Sequence, residues 1–274
     1  MKDVQTQKTP RILAVANQKG GVGKTTTSVN LATALSAIGQ KVLLVDLDPQ
    51  GNASTGLGIK RAGLRHSTYD IIFDDATIEQ TSHTTRVPNL HVLPSSIHLS
   101  GAEIELVNEE NREFRLHGKL RAATGYDYII IDCPPSLSLL TLNALIAAHS
   151  VVVPLQCEFF ALEGLSHLVK TIERVQANFN DELDIHGVVL TMFDRRNNLS
   201  QQVAEDVRNY FGDKVYKSVI PRNVRLSEAP SHGLPAIIYD MTCPGAAAYI
   251  SLAKEVLNRE ELLTGNRQLI RSKA

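Results

Sequence analysis

Seven consecutive residues near the N-terminus, Lys19-Gly20-Gly21-Val22-Gly23-Lys24-Thr25, set two lysines and a hydroxyl around three glycines. Glycines let successive backbone N–H groups curl around an anion, and a helix starting just behind them turns its positive end to the same point. In such a loop Lys24 sets a point charge against the β- and γ-phosphates of a nucleotide, and the Thr25 hydroxyl suits Mg²⁺. Thr26 continues the same anion-facing run. The stretch departs from the general pattern G-x-x-x-x-G-K-[ST] at Gln18, where the first glycine is wanted, and it carries an extra cation at Lys19.

Carboxylates follow at two strand ends. "VLLVDLDPQGNAS" (42–54) closes an apolar run with Asp46 and Asp48, which the period-two alternation of a strand places on one face. Asp-Pro is also a common turn initiator, so the pair reads either as a turn or as a carboxylate pair for chemistry. "YDYIIIDCPPS" (126–136) ends in Asp132, at the position where a carboxylate reaches Mg²⁺ through water; a helix cap is the plainer alternative. Pro134-Pro135 cannot continue regular structure, so this segment reads as a switch. "IPRNVRLSEAPSHGLP" (220–235), with its prolines and glycine, reads as a loop.

The elements that must position these residues are legible from short apolar runs alternating with longer helical patterns. Strands are expected over 11–17, 41–46, 90–94, 126–132, 150–155, 185–193 and 214–220. Helices are expected near 25–38, 98–121, 138–148, 161–178, 199–210 and 244–263. Nearly unbroken apolarity in the strands suits a sheet covered on both faces. The expected fold class is therefore α/β: a doubly wound, mostly parallel sheet with helices on both faces and ligands at the carboxyl ends of its strands. At 274 residues, with no low-complexity tract or linker, one domain over 11–274 is expected behind a flexible tail at 1–10.

Composition limits the rest. "MKDVQTQKTPR" has no apolar run resembling a secretory signal, and no apolar segment approaches the roughly 20 residues needed to span a bilayer. Three widely separated cysteines argue against a disulfide framework and suit a reducing cytoplasm. Nine histidines show no metal-ligand spacing. Net charge is −1, yet residues 195–225 carry seven Lys and Arg against three Asp and Glu. That leaves a local net charge of +4 against −5 elsewhere, a candidate footprint for phosphate backbones.

The loop at 19–25 matches in full the deviant Walker A form K-G-G-x-G-K-[ST]. "QKGGVGKTTTSVNLA", "LVDLDPQGN", "IIIDCPPSL", "LTMFD" and the 220–235 stretch together resemble chromosome-type ParA proteins, often called Soj, in order and over essentially the whole chain after about residue 10. The resemblance implies a P-loop ATPase using ATP and Mg²⁺. Lys24 would serve its own nucleotide and Lys19 its neighbour's, in a homodimer that sandwiches ATP. Gly20, Gly21, Val22, Gly23 and Thr26 would complete the phosphate cradle, with Pro221 and Asn223 near the base. Asp48 would orient the attacking water and, with Thr25 and Asp132, belong to the metal site.

The same resemblance implies that Arg196, Arg222 and Arg225 bind double-stranded DNA without sequence preference. A ParB-like centromere-binding partner would stimulate hydrolysis, and the protein would be cytoplasmic and nucleoid-associated, with no membrane partner. A MinD-like membrane regulator is the alternative, but "AAAYISLAKEVLNREELLTGNRQLIRSKA" mixes acids with bases and lacks a broad apolar face. An electron-transfer protein like the nitrogenase iron protein needs cysteines at spacings that Cys133 and Cys157 do not match. A small-molecule ligase with the same loop is disfavoured by the match in 220–235. The cargo, whether chromosome, plasmid or protein cluster, is not legible.

Overall fold

Each predicted apolar run forms a strand, and the strands join in one sheet. The computed structural model describes residues 9–74 and 76–271. Its strands are β1 (Arg11–Val15), β2 (Val42–Asp46), β3 (His83–Thr84), β4 (Leu90–Leu93), β5 (Tyr128–Asp132), β6 (Ser150–Gln156), β7 (Asp184–Phe193) and β8 (Val215–Pro221). They are ordered β3-β4-β2-β5-β1-β6-β7-β8, and every neighbouring pair is parallel except β3 with β4. From β1 the chain moves to β2 on one side, and from β5 it crosses to β6 on the other. The phosphate loop thus leaves the sheet where the winding reverses, the place such sheets bind ligands.

Alternation along the strands builds two cores. Ile12, Ala14, Leu43, Val45, Ile129 and Ile131 belong to one apolar cluster, with Ala144, Leu145, Leu165 and Leu168 from the helices Leu139–Ala147 and Ala161–Asn178. Leu13, Val15, Leu44 and Ile130 belong to the other, with Leu31 and Leu35 of the helix Lys24–Ala37 and Leu252 and Val256 of the helix Pro244–Arg271. Helices therefore cover both faces, as the apolar strands require. Each fully buried Leu or Ile adds about 2 kcal/mol of transfer free energy, so burial on both faces fixes the strands that carry the loop.

The differences from expectation lie where local signals are short. The stretch 98–121 divides into helices Leu99–Leu106 and His117–Arg121, and Asn111, with φ of 52°, lies in the break. The stretch 220–235 is not an open loop: it holds the helix Val224–Glu228 and a 3₁₀ turn, Ala229–His232. That segment is seated by a close backbone approach. A Cβ on Gly233 would lie 2.9 Å from the Gly58 Cα, and both glycines have positive φ. Residues 1–8 of the expected tail lie outside the described residues, and Pro10 is buried.

Candidate functional site

The loop after β1 is anchored by its own side chains. The buried Asn17 amide donates to the Pro154 carbonyl at 2.7 Å, and its carbonyl oxygen accepts from the Lys19 backbone at 3.0 Å. From β7 the Thr191 hydroxyl donates to the Val22 carbonyl at 2.8 Å. Gly21 and Gly23 hold φ of 75° and 87°, the left-handed region that glycine enters without steric cost. Gly23 is the N-cap of Lys24–Ala37, with no side chain capping that end. The first N–H groups of this helix are thereby left for an anion.

Lys24 is buried, and its ammonium donates to the Lys19 carbonyl at 3.1 Å. Burial lowers its pKa, while Asp132, Cys133 and Asp48 favour its charged form. Asp132 accepts from the Ser28 hydroxyl at 2.7 Å through Oδ1, and its buried Oδ2 has no hydrogen-bond partner. Burial raises the Asp132 pKa and the neighbouring Asp46 charge raises it further, against the nearby Ser28 and Thr25 hydroxyls, the latter falling short of a well-formed hydrogen bond to Oδ2. An oxygen-rich, partly unsatisfied pocket beside Thr25 fits a hard divalent cation such as Mg²⁺, which would supply the missing positive charge.

The two aspartates at the end of β2 differ in their surroundings. Asp46 lies beside Asp132 in parallel register, and its Oδ2 accepts from the Ser54 N–H at 2.7 Å and hydroxyl at 2.6 Å. Burial pushes its pKa up, against those hydrogen bonds. Asp48 lies beyond the strand, where its Oδ1 accepts from the Gln50 N–H at 2.9 Å. The turn read from the sequence is present at Asp48, whose carboxylate also stands close enough to act on Lys24 electrostatically.

Lys19 lies on the other side of the loop. Its ammonium is 2.6 Å from Glu158 Oε2 of the same chain, in a partly exposed ion pair. Glu158 follows β6 and carries no recognisable motif. Ser28, Ser54 and Thr191 lie within the quoted motifs, yet their contacts, like those of Asn17, come from long-range packing that the sequence did not single out.

The other predicted residues separate into two groups. Thr25 and Thr26 border a cavity of about 290 Å³ between the phosphate loop and Pro230, Leu234 and Pro235. Pro221 and Arg222 instead border a cavity of about 510 Å³ with Phe193, Asp194 and Arg196. Met192, with φ of 47°, turns the chain from Thr191 to these residues, and such a conformation in a non-glycine marks a site under constraint. Asn223 is engaged as a cap, accepting from the Arg225 N–H at 3.0 Å. Arg196 forms a two-pronged pair with Asp194, each contact at 3.2 Å. Arg225 pairs with Glu228 at 2.8 Å and with Asp240 at 3.4 Å. Among the described residues no helix is long and apolar enough to cross a membrane.

Comparisons agree with this geometry. The family described as "AAA domain" matches residues 10–185. The chromosome partitioning protein ParA of Caulobacter vibrioides is 59% identical over 253 residues, covering 91% of this chain and 95% of that protein. The sporulation initiation inhibitor protein Soj of Bacillus subtilis is 60% identical over 247 residues, covering 90% and 98%. A structure of cobyrinic acid a,c-diamide synthase from Mycobacterium smegmatis, with a bound ATP analogue and magnesium, has a TM-score of 0.80 at 38% identity, covering 92% and 96%. The cell division ATPase MinD of Pyrococcus furiosus has a TM-score of 0.75 at 28% identity, covering 90% and 98%. With its phosphate loop, paired strand-end aspartates and near-complete coverage at this identity, the chain belongs to the ParA/Soj family of P-loop ATPases.

Proposed function

We propose that this ATPase segregates DNA by switching between a free form and an ATP-bound homodimer that holds DNA without reading its sequence. The observation carrying this reading is the buried Lys24 ammonium at an uncapped helix N-terminus, close to Asp132 with its unpartnered oxygen. Lys24 and the N–H groups of residues 20–25 bind the phosphates, and Pro221 and Asn223 lie near the base. Thr25, Asp48 and Asp132 hold Mg²⁺, whose charge offsets the phosphate oxygens. Asp48 positions the attacking water, and its carboxylate accepts the hydrogen bond that orients it.

Lys19 exchanges Glu158 for the phosphates of the facing subunit. Dimerisation sets two copies of Arg196, Arg222 and Arg225 on one DNA, and affinity rises steeply with the number of phosphates neutralised. DNA binding by the ATP-bound dimer places the protein on the nucleoid, and a ParB-like partner stimulates hydrolysis and so release. Identity near 60% to partitioning proteins, against 38% to the diamide synthase, favours this reading over amide formation.

The test is DNA binding with ADP, ATP and a slowly hydrolysed analogue across a salt series. Binding confined to the ATP-like states and lost steeply with salt is expected. Equal binding with ADP and with the analogue would refute the switch.

A further inference from the structure

Several cations of the basic region are already committed. Arg196 holds Asp194, Lys214 holds Asp184 and Arg225 holds Glu228. A different arrangement lies at the opposite edge of the sheet, beside β3. There a cavity of about 750 Å³ is lined by Lys60, Arg65, His66, His83 and Gln80 with the chain over 58–64, and among the described residues no acidic side chain borders it. Among the described residues the side chains of Lys60, Arg65, His66 and His83 make no hydrogen bond or ion pair.

The intervening Arg61 points elsewhere, donating to the Pro49 carbonyl at 3.0 Å. The loop thus divides its cations between an inward structural contact and an outward concavity. Gathering unpaired positive groups around a concavity raises the local potential and concentrates counter-anions. The lining offers an ammonium, a planar guanidinium and two imidazoles. Arginine's fixed fork of donors matches the oxygens of a phosphate.

We propose that this cavity is a second phosphate-recognition site, separate from the nucleotide loop. The phosphate belongs either to a nucleic-acid backbone or to a soluble oligophosphate, and the chemistry of recognition is shared. The β3 edge lies on the other side of the sheet from β7, which Arg196 follows, so a backbone held at this cavity would follow a path distinct from one held at Arg196.

The test uses the full chain without nucleotide, so failure of the ATP-driven switch would leave it unaffected. Proton–carbon NMR signals of the His66 and His83 rings, assigned with His66→Gln and His83→Gln, are followed at low salt. A short DNA duplex or inorganic pyrophosphate is added. Pyrophosphate also enters the nucleotide loop, but only these two rings report on the cavity.

Saturable movement of both signals is expected with at least one probe. Lys60→Gln/Arg65→Gln should weaken that response about tenfold or more, and for the duplex lower the salt slope by about two. Movement with the duplex alone assigns a backbone phosphate, movement with pyrophosphate alone a soluble one, and movement with both a site open to either. Signals unmoved by both probes, or moved equally in the double variant, would overturn the proposal. The wild-type titration decides even if that variant folds poorly.

Discussion

A carboxylate that shapes a turn can also direct a water only if the turn leaves its charge free. Asp48 uses Oδ1 to hold the Gln50 N–H, which fixes the side chain without consuming its negative charge. Asp46 is the better-shielded acid, and Ser54 occupies its Oδ2 with two hydrogen bonds. Two substitutions separate turn from chemistry. Asp48→Asn keeps an oxygen for Gln50 and loses the charge, whereas Asp48→Ala loses both. Each should slow ATP hydrolysis by about 10²- to 10⁴-fold, the usual worth of a positioned base, with nucleotide affinity changed only a few-fold. Phosphate release and equilibrium nucleotide binding measure the two quantities. Normal turnover in Asp48→Asn would assign the residue to the turn alone.

Among the strands and helices, much was legible because each buried strand is a continuous apolar run. The seven runs read from the sequence all became strands, and the phosphate loop fell between β1 and its helix as expected. What was missed is short or long-range. β3 has only two residues and owes its existence to pairing with β4. The helix Val224–Glu228 is capped by Asn223, a residue the family resemblance assigned to the base. The neighbouring placement of Asp46 and Asp132 depends on strand order, which no local pattern encodes.

Strand ends also make the fold sensitive to acid. His149, just before β6, accepts from the Ile12 N–H of β1 at 3.0 Å. Burial, with Arg121 and then Arg11 nearby, pushes its pKa down to about 4. A histidine whose folded pKa is depressed stabilises the fold above its unfolded value, near 6.5. That stability is lost as pH falls from about 6.5 towards 4, amounting to at most about 3 kcal/mol. Urea unfolding at several pH values should show a shallower acid limb for His149→Asn than for wild type. Parallel limbs in the two proteins would assign the acid sensitivity to other groups.

For the molecule as a whole, the two lysines of the loop have different reach. Lys24 is buried, whereas the Lys19 side chain is partly exposed and, among the described residues, paired only with Glu158. An ion pair this exposed is worth about 0.2–1 kcal/mol, little enough for the phosphates of a facing subunit to displace it. Gly20 offers a way to test that exchange without disturbing the subunit. A Cβ built there meets no heavy atom within 4 Å, and its backbone is not in the left-handed region. Valine at this position should therefore leave the isolated fold and its thermal stability nearly unchanged. In the proposed ATP-bound dimer, a branched side chain beside Lys19 would nevertheless occupy the space that the second subunit enters. Gly20→Val is expected to bind a slowly hydrolysed ATP analogue within a few-fold of wild type yet sediment as a monomer under conditions where wild type forms dimers. Dimers of wild-type stability would show that the facing surfaces do not meet at this loop. Loss of nucleotide binding in step with dimerisation would show that the loop, and not the interface, is what the valine disturbs.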